Sequence, residues 1–97
     1  MNPTRDSWHF YPEEVPPSAG IYLVTVDLNI PGIPGRIKIL SWTKNLSGVA
    51  EYEFAGRNQP GWYDYDVEWG YCEDTDVVAW KPLPQPAPLP QGTSQNQ

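Results

Sequence analysis

Proline placement limits this chain to short extended elements. Pro12, Pro16 and Pro17 fall within six residues and forbid a long helix there, because each removes a backbone donor and restricts its predecessor. Pro31-Gly32 and Pro34-Gly35 are successive pairs, each suited to a type II turn. Pro82, Pro84, Pro86, Pro88 and Pro90 alternate with other residues and predict an extended, polyproline-like tail. The spacing never places prolines at i and i+3, so the tail does not suit the Pro-X-X-Pro recognition geometry. Leu83 is expected to pack on the body, with the rest trailing into solvent.

Between these prolines the hydrophobic pattern predicts strands. Ile21–Leu28 is rich in β-branched and aromatic residues, with Tyr22, Val24, Val26 and Leu28 on one face. Ile21 and Leu23 make the start of its other face apolar, as in a central strand. Arg36–Thr43 changes parity between Ile37/Ile39 and Leu40/Trp42, which predicts a bulge or a strand covered on both faces. Val49–Phe54 alternates, with Ala50, Tyr52 and Phe54 inward and Glu51 and Glu53 outward. Trp62–Trp69 alternates too. Tyr63, Tyr65, Val67 and Trp69 share its core face; Trp62, Asp64, Asp66 and Glu68 share the other. Val77–Lys81 closes the set, with Val78 and Trp80 on one side.

The fold class that follows is mainly β: a single small antiparallel meander of five strands, closed as a barrel or roll. An irregular N-terminal arm precedes it, with Trp8 as an anchor onto the core. Residues 1–81 form the domain, with 1–7 frayed. Residues 82–97 form the Pro-rich tail, disordered toward its end.

A packed unit of this size has a thin core and depends on large side chains. The thirteen aromatics among 97 residues meet that need. Net charge is −6, and the six basic residues are scattered singly, which argues against duplex nucleic acid and anionic membranes. A single cysteine, Cys72, permits no internal disulfide. With no basic-then-apolar leader and no run long enough to span a bilayer, the expected location is the cytoplasm.

No catalytic motif stands out. Asp64-X-Asp66-X-Glu68 begins like a calcium loop, but Trp69 falls where glycine is needed and Thr75 where a bidentate acid is needed. Glu73 and Asp74 beside Cys72 would raise its thiol pKa, the wrong direction for a nucleophile. His9 reads as a partly exposed histidine. Neither enzyme chemistry nor a metal or other cofactor is expected.

Trp62–Pro84 concentrates the features that suit recognition: three of five tryptophans, three of six tyrosines and six of twelve acids. An exposed aromatic beside carboxylates suits a cationic partner. The expected contact surface for a protein with a basic patch is Trp62, Asp64, Asp66, Glu68, Tyr71, Glu73, Asp74 and Asp76. An alternative is a small nucleotide, stacked on Trp62 with its phosphates near Arg36 and Lys38. A homo-oligomeric assembly role, through edge strands or the tail, is a third reading.

At Val77-Val-Ala-Trp80-Lys-Pro-Leu-Pro84 the chain resembles domain-of-unknown-function family 551, small proteins common in phage and bacterial genomes. That family's C-terminal signature runs hydrophobic-X-X-Trp-Met-Pro-Leu-Pro-X-Pro. Trp80, Pro82, Leu83, Pro84 and Pro86 match it, with Lys81 for Met. Trp8 and Pro12-Glu13 resemble the family's opening, with Tyr11 for Leu, and Trp62-Tyr63 resembles its mid-chain pair. The resemblance implies a compact, mostly β domain of phage or prophage origin and no particular activity. It also implies Trp80 as a core plug, with Pro82-Leu83-Pro84 lying against the aromatic arm near Trp8.

Overall fold

The computed structural model describes residues 7–89. The expected fraying of 1–6 and disorder of 90–97 lie outside the described residues. The described residues form one antiparallel sheet of six strands with a single short helix. The strands are β1 (His9–Phe10), β2 (Gly20–Val26), β3 (Arg36–Thr43), β4 (Gly61–Asp66), β5 (Gly70–Asp74) and β6 (Val77–Pro82). Their order is β1-β6-β2-β3-β4-β5. The mainly β antiparallel class expected from the sequence is therefore the one adopted, with β2 to β5 as the meander. Two strands go beyond the expected set, the short β1 added by the aromatic arm and β5, where Gly70–Asp76 reads in the sequence as a loop, and the strand expected at Val49–Phe54 is absent.

The sheet curls without closing into a barrel. β5 and β6 stand four strand positions apart, about 19 Å in a flat sheet. Only Thr75 and Asp76 join them, a link that reaches about 11 Å. The sheet must bend to satisfy that link. The Asp27 amide donates to the Asp76 carbonyl at 3.0 Å, and the Lys38 ammonium meets the Asp74 carboxylate at 3.0 Å across the bend.

The concave face holds the main core: Tyr22, Val24 and Val26 of β2, Leu40 and Trp42 of β3, Trp62 of β4, and Val77 and Trp80 of β6. Tyr11 from the arm packs edge-on against Trp42 and Trp62, each at 5.8 Å between ring centroids. The Trp80 indole donates to the Glu14 carbonyl at 2.9 Å, and His9 stacks on the Trp80 ring at 4.4 Å. These contacts fasten the arm to the last strand. Trp8 is half-buried beneath the Lys81 ammonium on the convex side, so it anchors the arm's edge without entering the core.

Three expectations are corrected. Val49–Phe54 is not a strand. Leu46–Val49 forms a helix, α1, and amide-to-carbonyl bonds from Ala50 to Leu46 and from Phe54 to Ala50 continue the four-residue spacing. Leu46, Ala50 and Phe54 are buried together in a second cluster on the convex face, while Tyr52 is 91 % exposed. Val78 and Trp80 do not share a side. The β2–β6 register shifts between Thr25 and Val26, leaving Val78 as an extra residue, so Val77 and Trp80 both point inward. Leu83 stays 39 % exposed, so it packs on the body only in part.

The two Pro-Gly pairs do different work. Pro31-Gly32 makes a turn closed by the Ile33 amide on the Ile30 carbonyl, with Gly32 at φ +81. Gly35 is needed for space: a Cβ there would stand 2.8 Å from Thr25 Cγ2 and 3.0 Å from the Val26 carbonyl oxygen.

Candidate functional site

β4 and β5 pair in register as Trp62↔Asp74, Tyr63↔Glu73, Asp64↔Cys72, Tyr65↔Tyr71 and Asp66↔Gly70. Pairing between β3 and β4 stops at Ser41↔Tyr63, so the hairpin beyond Tyr63 leaves the body of the sheet. Its turn, Val67–Trp69, is fastened by one carboxylate. Asp66 Oδ1 accepts from the Glu68 amide at 2.7 Å and the Trp69 amide at 3.0 Å. Gly70 then takes a φ of +82, which reverses the chain into β5.

The turn presents Val67 and Trp69 at 93 % and 75 % exposure, with Tyr65 also exposed. Tyr65 is braced from behind. It meets Tyr71 at 4.9 Å, Tyr71 meets Tyr63 at 6.0 Å, and Tyr63 meets buried Phe54 at 6.4 Å. A row of rings thus links the projecting tip to the convex-side cluster. Asp64, Asp66 and Glu68 are exposed on the same hairpin and form no ion pair among the described residues.

The expected acidic surface divides. Glu73 is held by Arg57 at 2.8 Å, and Asp74 by Lys38 at 3.0 Å. Asp74 also accepts from the Asp76 amide at 2.9 Å, with Asp76 itself exposed. Glu73 has an effect on the core: burial pushes the Tyr11 hydroxyl pKa above 10.0, and the Glu73 charge raises it further.

Trp62 is a correction. It is only 1 % exposed, because it pairs with Trp42 on the concave face, and can serve neither as a partner anchor nor as a stacking platform. Arg36, Lys38 and Trp62 do not assemble a nucleotide site, since the ring is inside and Lys38 is bonded to Asp74. Tyr71 is half-buried in the ring row. Tyr65, Val67 and Trp69, expected in the core, are outside it. The missed signal was Asp66-X-X-X-Gly70: an Asx-type turn ending in positive φ ends the strand at Asp66.

Cys72 is exposed, its thiol 3.5 Å from the Gly70 carbonyl oxygen. Among the described residues no three His, Cys, Asp or Glu side chains converge as a metal site, and no helix is long and apolar enough to cross a membrane. The chain matches no protein-family model, no curated protein and no solved structure.

Proposed function

We propose that this chain is a non-catalytic binding protein that occupies a protein partner through the β4–β5 hairpin. The observation that carries this reading is the tip itself, where exposed Trp69, Val67 and Tyr65 stand beside Asp64, Asp66 and Glu68. Exposed aromatics are the usual interface anchors, and adjoining carboxylates select a basic surface and speed its capture. The brace of tyrosines behind Tyr65 lowers the entropy lost when the tip is held by a partner. The resemblance carried by Trp80, Pro82, Leu83, Pro84 and Pro86 supports a phage or prophage accessory factor, with a bacterial host protein as its target.

The test is capture from bacterial lysate with wild type, a hairpin variant (Trp69→Ala, Asp64→Lys, Glu68→Lys) and a charge-matched variant (Glu13→Lys, Glu51→Lys). A partner kept by the charge-matched protein and lost by the hairpin variant, with both variants folded by circular dichroism, is the expected result. The same captured proteins in all three would sink the reading.

A further inference from the structure

We propose that two copies of this chain pair face to face through the bare half of the convex sheet surface.

The register defines that surface. Strand neighbours directly opposite share a face, so Phe10, Ala79, Thr25 and Ile37 form one convex row, and Lys81, Leu23 and Ile39 form the next. Ile21 lies two residues from Leu23 on the same side. Phe10, Ile21, Ile37 and Ile39 are exposed at 51 %, 57 %, 61 % and 57 %. Trp8 and Leu23 are half-buried beside them. The Arg36–Thr43 parity change is explained here. The strand has no bulge against β2, and its Ile37/Ile39 side is an apolar face that nothing in the described chain covers.

The other half of the convex surface is treated differently. Over β4 and β5, Leu46, Ala50 and Phe54 pack against Tyr63 and Tyr71. The chain spends a whole connection covering that half and leaves β2 and β3 aliphatic and open.

Area and charge select a second copy as the occupant. At roughly 100 Å² per half-exposed Ile or Phe, and less for Trp8 and Leu23, the six side chains offer roughly 400–600 Å² of apolar surface. One side of a standard interface is about 800 Å², about 65 % apolar in homodimers, which calls for about 520 Å². The chain carries a net charge of −6, so two copies repel over most approaches. The convex rows of β1, β6, β2 and β3 contain no acidic residue, and Lys81 is their one ionisable group. This is the surface on which two such chains meet with least repulsion. It asks for no charged or hydrogen-bonding complement, which suits a twofold contact in which one patch faces itself. Ile39 stands near its centre, opposite Leu23 and between Ile37 and Ile21. Packed sheets about 10 Å apart would interdigitate these side chains. Such a pair would display two hairpins, but the pairing itself does not depend on what the hairpin binds.

The test is sedimentation equilibrium of the full chain across micromolar concentrations, in reducing buffer because Cys72 is exposed. Wild type is expected at twice the 11.0 kDa chain mass. Ile39→Lys is expected to be monomeric with an unchanged circular dichroism spectrum. Ile39→Thr, which keeps the β-branch, guards against a misfolded lysine variant and should weaken pairing by about tenfold or more. Trp69→Lys should remain dimeric. A monomeric wild type would overturn the proposal, as would a dimer unaffected by both Ile39 variants or one abolished by Trp69→Lys.

Discussion

Trp62 stands directly opposite Trp42 in the β3–β4 ladder, with ring centroids 4.9 Å apart and both indole N–H groups buried with no hydrogen-bond partner among the described residues. The pair fills the centre of the concave core. Two unpartnered donors are a cost that ring burial and edge contacts with Tyr11 and Tyr22 must exceed. Trp62→Ala is therefore expected to lose about 3–5 kcal/mol of stability. Trp62→Phe keeps a ring and removes one unpartnered donor, so its loss should stay below about 3 kcal/mol. Urea unfolding of both variants checks the order. An equal loss would show that the full indole outline, and not an aromatic ring as such, is what fills the site.

The same pair explains where sequence reading succeeded and where it inverted. The alternation in β2 and in Leu40/Trp42 was legible because those strands run straight through one core face. In Trp62–Trp69 the alternation was real but its sign was ambiguous, since both candidate faces carried rings. Trp62 and Tyr63 belong to opposite clusters, one concave and one convex, and nothing local distinguishes them. The Val49–Phe54 pattern failed because Ala50 and Phe54 fit both a period of two and a four-residue spacing, and only Leu46 breaks the tie. The bulge at Val78 had no residue signature. It follows from the bend that joins β5 to β6.

Gly35 tests the space between β2 and β3. A Cβ there meets the Val26 carbonyl oxygen, which as backbone cannot rotate away. Gly35→Ala should destabilise by about 1–3 kcal/mol. Gly48→Ala is the control: its nearest neighbour is 4.0 Å from the added carbon and it lies in α1, so it should be neutral or gain up to about 1 kcal/mol. Unfolding midpoints in denaturant, at constant slope, report both.

Tyr11 predicts a specific alkaline weakness. Its hydroxyl pKa is raised in the fold, first by burial and then by Glu73. The native state therefore holds the proton where the unfolded chain has lost it. Tyr11's contribution to stability is fully present below its ordinary value of 10.0 and is lost as pH rises through the raised native pKa. Tyr11→Phe removes the titrating group. The difference in stability between wild type and Tyr11→Phe should be constant from neutral pH to about 9 and shift against wild type above about 10. A flat difference across that range would refute the assignment.

Asp66 makes the hairpin tip a distinct unit of stability. Its Oδ1 holds the Glu68 and Trp69 amides, while the ring row from Phe54 to Tyr65 holds the strands behind. Losing the carboxylate should therefore loosen the turn without melting the sheet. Asp66→Ala is expected to cost about 1 kcal/mol in global stability or less, the tip being exposed. The amides of Glu68 and Trp69 should exchange hydrogen about tenfold faster or more, with β2 and β3 unchanged. Asp66→Asn retains an acceptor oxygen at the same position and should restore most of the protection. Equal exchange at the tip in wild type and Asp66→Ala would mean that the strands alone, and not Asp66, shape the surface carrying Trp69.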